Sequence, residues 1–233
     1  LVKILGLKFN EDYSDDNKYR SLRYGKIISL CDQDVDGYHI KGLLINFIDH
    51  FWPSLIKRDF FTSLATPIVK AFKGKEEKAF YNLSDYTKWS EKVNTKLWKI
   101  KYYKGLGTST AKEAKEYFKD ITSKLIHHDF NNNGDIKAID LAFNKKLANK
   151  RKEWLKNYDK DNILEYDVKD VKGEDFFNKE FIHFSNDDVY RSIPSIIDGL
   201  KPSQRKILYG SFLRKLDKSE VKVAQLAGFV SDK

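Results

Sequence analysis

The sequence predicts an α/β fold: a domain built on a parallel sheet, followed by a mainly helical stretch. Three observations predict it. Residues 24–30, YGKIISL, form a β-branched apolar run of strand length that leads straight into an acidic loop. Within residues 39–51, Ile40, Leu43, Leu44, Phe47, Ile48 and Phe51 recur at three- and four-residue steps, one face of a helix, and Pro53 stops it. From about residue 175 the pattern changes to helical segments separated by turns at Pro194, Gly199 and Pro202. Strand, polar loop and helix make half of an α/β unit, with polar groups at the carboxyl end of the strand, where open sheets bind ligands.

The remaining elements follow in chain order. Residues 60–72 and 79–83 read as strands joined across Lys73-Gly74-Lys75. Residues 84–92 form a short helix with Ser84 as its cap, and 97–103 alternate as a further strand. Gly105-Leu106-Gly107-Thr108-Ser109 is a loop leading to a helix over 110–118, capped by Ser109 or Thr110. Residues 127–135, with three consecutive Asn, read as surface loop, which leaves His127 and His128 exposed and without partners. Residues 136–158 read as one long basic helix and 159–174 as a polar linker. No internal repeat is present.

Composition narrows the class. Of 233 residues 41% are hydrophobic and 14% aromatic, enough to form a core, which excludes wholesale disorder. The longest apolar-rich run, 40–52, is interrupted by Lys41, Asn46, Asp49 and His50, so no membrane span is expected. The opening residues lack a signal-peptide pattern, and the single Cys31 excludes a disulfide framework and a cysteine-based zinc site. Together these favour an intracellular compartment. The chain contains no Met and starts at Leu1, so it is expected to be a piece of a longer protein.

The net charge of +9 is clustered: residues 141–156 hold six basic residues against one acid, and 198–222 hold seven against three. Those two windows account for the whole excess. Clustered positive charge points to a polyanionic partner; two solvated helix faces are the plainer alternative.

The acidic loop carries the chemistry. Asp32, Asp34 and Asp36 stand at i, i+2 and i+4 directly after the strand. In an extended backbone alternate side chains share a side, so the three carboxylates can converge. Packed carboxylates repel unless a cation neutralises them, and hard oxygen donors select Mg²⁺, with Mn²⁺ or Ca²⁺ as substitutes. The D-x-D-x-D-G pattern also begins an EF-hand loop, but position 12 is Leu43 rather than Glu, and the preceding segment is a strand rather than a helix. A Mg²⁺ site for phosphoryl transfer fits the context; an acidic surface turn is the structural alternative.

These residues resemble a known family. LCDQDVDGYHIKGLLINFI (30–48) is similar to the signature of the TOPRIM domain of eukaryotic-type topoisomerase II, a type IIA topoisomerase family. ATPIVK (65–70), KYYKGLGTST (101–110), KRKEWL (150–155), RSIPSIIDGLKPSQRKILYG (191–210) and VKVAQLAG (221–228) follow in the family's order. Bacterial relatives carry the TOPRIM and DGLKP-type segments on separate chains; here both lie on one, which favours the eukaryotic or viral form. The resemblance implies a TOPRIM (Rossmann-like) domain over 1–120 lacking its first strand, a helical connector over 121–174, and the start of a winged-helix DNA-binding domain over 175–233.

It implies function too: ATP-dependent passage of one DNA duplex through a transient tyrosine-linked double-strand break in another, by a homodimer, in the nucleus (in the cytoplasm if viral). ATP would be bound outside this chain. Asp32 and Asp34 would hold the metal, with Asp36 behind them or as an alternative ligand. The family's catalytic glutamate and nucleophilic tyrosine are expected before Leu1 and after Lys233, so this stretch alone is expected not to cleave DNA. Arg23-Tyr24, the only Arg-Tyr pair, precedes the metal strand and is rejected as a nucleophile.

Arg151 and Lys152 match positions that contact DNA backbone, with Lys145, Lys146 and Lys150 adding field on the same helix and Trp154 and Leu155 facing the core. Lys201 in DGLKP matches another such position, with Arg205 and Lys206 one turn on, and Pro202 suits a helix start. Contacts of this kind set register without reading sequence. Lys104 and the Gly-Leu-Gly loop could approach phosphate through backbone N–H groups, or form only a tight turn. Val223, Leu226, Ala227 and Val230 read as packing, and His39 as capping or packing rather than ligation. Three residues depart from the family pattern: Tyr38 where a small Ser is expected, Ser203 for Gly, and Cys31 where Thr is common. A non-catalytic module that binds DNA backbone, or another Mg²⁺-dependent TOPRIM enzyme, are the alternative functions.

Overall fold

The computed structural model describes residues 1–103, 107, 109–119, 121–122, 124–166 and 169–233. Leu1–Phe184 and Ser185–Lys233 form two compact units.

The first unit opens with two short helices, α1 (Val2–Leu5) and α2 (Asp16–Arg20), the second capped by the Asp15 carboxylate. β1 (Ile27–Ser29) follows, then α3 (Val35–Phe51) and α4 (Pro53–Ile56). Pro53 both ends α3 and starts α4, since the first helical position needs no N–H. β2 (Phe61–Leu64) pairs parallel to β1, with Ile27 opposite Phe61. All four β2 residues are buried, and the two polar ones are satisfied: Thr62 Oγ1 donates to the Ile27 carbonyl at 3.1 Å and Ser63 Oγ pairs with His128.

The expected strand over 60–72 is two strands. Pro67, without an N–H for a ladder, lies between β2 and β3 (Val69–Lys73). β3 belongs to a second sheet of order β4-β3-β5, with β4 (Glu76–Phe80) and β5 (Lys99–Tyr102) both antiparallel to it. Gly74, at φ 60°, begins the two-residue loop of the β3–β4 hairpin, where positive φ is required. α5 (Leu83–Lys92) is capped by Asn82, two residues before the expected cap Ser84, because Asn82 Oδ1 accepts from the Asp85 N–H at 2.8 Å. α6 (Ala111–Lys119) follows Thr110, which exchanges hydrogen bonds with Glu113 in the manner of a capping box.

β6 (Leu125–Asp129) overturns the expected surface loop at 127–135: it pairs antiparallel to β2, and His127 and His128 lie inside it. Only residues 130–132 separate it from α7 (Asn133–Phe143), whose capping box joins Asn132 and Asp135. The expected long helix over 136–158 is likewise two helices, α7 and α8 (Ala148–Lys156). Asn144 breaks it, its side chain accepting from the Lys146 N–H at 3.0 Å and donating to Asp140 at 3.2 Å, a local alternative to the helical ladder. The expected linker contains β7 (Asp170–Lys172), which joins the main sheet parallel to β6. The main sheet therefore has the order β1-β2-β6-β7, with parallel pairs at both edges and an antiparallel pair at its centre rather than parallel pairing throughout. α9 (Gly173–Phe176), a π-helical turn (Phe177–Phe181) and α10 (Ile182–Ser192) complete the run.

Trp52, Phe60, Phe61, Phe130, Phe176 and Phe177 fill the core with Ile45 and Ile48 of α3. The buried stripe of α3 differs from the expected one. It runs Gly37, Lys41, Ile45, Ile48, whereas Ile40, Leu43 and Phe51 are exposed. A lysine on the buried face misled the periodicity.

The second unit contains α11 (Pro202–Leu213) and α12 (Val223–Ser231). They pack at Gly210, where a Cβ would stand 2.8 Å from Val230 Cγ2. Leu226 and Val230 are half-buried, but Val223 is 84% exposed and Ala227 is exposed, so only part of the expected packing face packs.

Candidate metal loop and nucleic-acid interface

The acidic loop sits at the carboxyl end of β1. The chain bends at residues 33–34, and Asp34, with φ −125° and ψ 178°, caps α3 by accepting from the Gly37 N–H at 2.8 Å. Asp36 is already in the first helical turn, so the alternation expected of an extended backbone does not reach it; there it complements the helix dipole. Gly37 is needed for space rather than for φ: a Cβ there would lie 1.8 Å from the Asp32 carbonyl oxygen. Asp32 is half-buried and Asp34 and Asp36 are exposed. Among the described residues no three His, Cys, Asp or Glu side chains gather closely enough to hold a metal by themselves. Asp32 and Asp34, two residues apart in the chain, are the donor type that Mg²⁺ takes, since it is held by one or two carboxylates and completes its shell with water and substrate phosphate.

A polar network that the sequence did not announce lies behind the loop. Lys41 Nζ reaches Glu180 Oε2 at 3.2 Å, and these side chains are 3% and 2% exposed. Glu180 Oε1 accepts from the Tyr166 hydroxyl, which in turn accepts from the Gln33 amide nitrogen. The Tyr38 hydroxyl lies within hydrogen-bonding reach of Tyr166 and Gln33. Burial, then the Glu180 charge, pushes the Tyr38 and Tyr166 hydroxyls up, so both stay protonated. The bulky ring at Tyr38, unexpected beside the loop, is thus partly interior, with Lys41 Nζ 5.0 Å from its centroid. His39 stacks on Phe184 at 3.8 Å, a packing role as expected. Cys31 Sγ lies 3.0 Å from Ser29 Oγ.

His127 and His128 both have partners. His127 Nδ1 is 2.8 Å from Asp59 Oδ1, and buried His128 meets Ser63 Oγ at 2.9 Å. Burial, with the Lys41 charge second, lowers the His128 pKa to about 3.

Of the basic candidates, Lys145, Lys146, Lys150 and Lys152 are exposed along the short 3₁₀ turn (Lys145–Leu147) and α8. Arg151 is not equivalent to them. Its Nη1 donates to the carbonyls of Leu141 and Asn144 at 3.0 and 2.7 Å, closing the end of α7. Trp154 is half-buried, with Nε1 donating to Asn178 at 2.8 Å. In the second unit Lys206 is exposed and Lys201 precedes Pro202, its N–H donating to Gln204 at 2.8 Å. Arg205 grips Asp198 with two bonds, at 2.7 and 2.9 Å, and that guanidinium holds the Asp198 carboxyl down at about 2. Lys104, Gly105 and Leu106 lie outside the described residues. The flanks of that loop are braced: Glu113 accepts from Lys101 at 2.7 and 2.8 Å, from the Thr110 N–H at 2.7 Å and from the Tyr103 hydroxyl. Burial opposes ionisation of Glu113, yet these donors hold its pKa at about 2.

Residues 64–189 match the family described as the C-terminal associated domain of TOPRIM, and 191–233 match the A-subunit family of DNA gyrase/topoisomerase IV. The whole chain is 49% identical to DNA topoisomerase 2 top-2 of Caenorhabditis elegans and 51% identical to human DNA topoisomerase 2-alpha. The chain belongs to the eukaryotic-type DNA topoisomerase II family.

It spans 16% of the length of each of those two curated relatives. A crystal structure of the Plasmodium falciparum topoisomerase II DNA-binding, cleavage and re-ligation domain superimposes with a TM-score of 0.83 at 47% identity, covering 99% of this chain and 31% of that one. In this topoisomerase II segment the acidic loop and the basic windows were legible from residue type and spacing. Lys41, Glu180, Tyr166 and Gln33 were missed. The available signal was a lysine four residues from both Gly37 and Ile45, on the stripe that the helix buries.

Proposed function

We propose that this chain is the metal and DNA-backbone platform of an ATP-dependent type II DNA topoisomerase, acting as a homodimer in the nucleus. The observation that carries the reading is the Asp32–Asp34 pair at the end of β1 within a chain similar over its whole length to topoisomerase II. Asp32 and Asp34 hold Mg²⁺, and Asp36 adds negative field from the first turn of α3. When bound, the ion supplies charge stabilisation for a transferring phosphoryl group. Asp34 is held rigid because its carboxylate also caps α3, and the Asp32 backbone is clamped over Gly37.

Lys145, Lys146, Lys150 and Lys152 in the first unit, and Lys201 and Lys206 in the second, bind duplex phosphates without reading bases. Arg151 and Arg205 act chiefly by shaping the backbone that presents those lysines, since each is engaged within the chain. Lys104, with the Gly-Leu-Gly sequence after it, contributes to phosphate approach. The proposed division into 1–120 (TOPRIM), 121–174 (connector) and 175–233 (winged helix) places the metal loop in the first part and the two basic windows in the others.

The test is relaxation of supercoiled plasmid by the full-length protein carrying Asp32→Ala with Asp34→Ala. Mg²⁺-dependent relaxation should fall by at least about a hundredfold, the scale of losing transition-state charge stabilisation. Unchanged relaxation would overturn the metal assignment.

A further inference from the structure

The network behind the acidic loop has a direction, and the direction fixes a side chain. Glu180 can only accept as a carboxylate, and it does so from Lys41 Nζ and from the Tyr166 hydroxyl. The single hydroxyl proton of Tyr166 is thereby committed, so its oxygen can only accept from Gln33. That requires the Gln33 amide nitrogen to point inward and its carbonyl oxygen to point the other way. Gln33 is 8% exposed, and its Oε1 has no hydrogen-bond partner among the described residues. A buried amide oxygen without a partner is costly, by about 1–3 kcal/mol, unless something donates to it. Gln33 also lines a cavity of about 10 Å³ together with Asp32, Thr66, Tyr103 and Ser109. Such a space holds roughly one water.

We propose that Gln33 is a positioning residue for the hydrated cation: its amide oxygen accepts a hydrogen bond from a water of the Mg²⁺ ion held by Asp32 and Asp34. The inference rests on the metal reading above and deepens it. A cation that keeps several waters needs acceptors around its shell, and groups in that position set affinity as well as orientation. Gln33 and Asp32 line the same one-water cavity, and the chain Lys41–Glu180–Tyr166 locks the Gln33 amide in the accepting orientation. Glu180 lies in a π-helical turn, which places its carboxylate in the core between Lys41 and Tyr166.

The probe is Mn²⁺ alone, titrated into the full-length protein and followed by electron paramagnetic resonance of the free ion. Gln33→Met removes the acceptor at similar volume; Tyr166→Phe leaves Gln33 intact and removes only the lock. Each should weaken Mn²⁺ binding about tenfold, the scale of losing a partner behind the ligands. A merely structural role would instead lower the metal-free melting temperature and leave the Mn²⁺ affinity alone. If a folded Gln33→Met binds within twofold of the parent, the proposal is wrong; if that variant does not fold, Tyr166→Phe decides on the same criterion. Asp32→Ala with Asp34→Ala separates the two levels. If it binds Mn²⁺ normally, the metal reading itself fails; if it abolishes binding while Gln33→Met and Tyr166→Phe do not weaken it, only the role of Gln33 fails.

Discussion

Replacing Lys41 by Met removes half of an ion pair that water does not reach. The two charged groups stand 3.2 Å apart and are 3% and 2% exposed. Met retains most of the aliphatic volume, so the packing change is small. The Glu180 charge, by contrast, is left uncompensated in the core, which costs about 3–5 kcal/mol. At roughly 2–4 °C per kcal/mol for a unit of this size, the melting temperature should fall by about 6–20 °C. Adding Glu180→Gln removes the stranded charge and still offers Tyr166 an amide oxygen in place of Oε1. The double variant should therefore recover to within about 1.5 kcal/mol of the parent. Urea unfolding followed by tryptophan fluorescence compares the parent, the single variant and the double variant. A Lys41→Met variant within about 1 kcal/mol of the parent, or a double variant no more stable than the single, would refute the claim that this pair is dry and mutually dependent.

Three further outcomes are expected. Gly37→Ala should destabilise by about 1–3 kcal/mol, as overpacking does, because the new Cβ meets the Asp32 carbonyl at 1.8 Å; calorimetric melting checks it, and Asp32 should lose its register with Asp34, so Mn²⁺ binding should weaken in parallel. His128 is held neutral in the fold with a pKa of about 3 against an ordinary 6.5. Its contribution is therefore complete above pH 6.5 and is lost as the unfolded chain takes up a proton between pH 6.5 and 3, at most about 5 kcal/mol; His128→Gln should flatten that part of the melting-temperature profile, and an unchanged slope would contradict the buried neutral ring. Lys152→Ala should lower the salt dependence of DNA binding by about one unit of log–log slope with no change in melting temperature. Arg151→Ala should do the reverse, losing about 1–3 kcal/mol of stability as two half-buried carbonyls lose a charged donor.

The contrast between Arg151 and Lys152 shows where reading the chain stops. Both are basic, adjacent and in the same motif, so composition and motif treat them alike. Only the approach of the Asn144 carbonyl to Arg151 at 2.7 Å separates a brace from an exposed charge. The His127–His128 pair is similar. Three consecutive Asn make the region look like a loop, but they begin after the strand, and Asn132 caps α7. Strand 125–129 is carried by pairing with the fully buried β2, a partner about 60 residues away in sequence, to which local propensity is blind.

Local rules settled a good deal from the chain alone: a strand ending in an aspartate-rich loop, a helix stopped by Pro53, a hairpin at Gly74, and the basic windows that set the net charge. Each depends on neighbours within a few residues, through periodicity, φ preference or charge. Tertiary structure alone decided that Lys41 lies on the buried face, that Gly37 is there to let the Asp32 carbonyl close over α3, and that Gln33 is locked by Tyr166. Those outcomes depend on groups brought together from positions 33, 41, 166 and 180. In a dry interior a charge or an amide is tolerated only when distant partners meet it, and which partners do so is settled by packing.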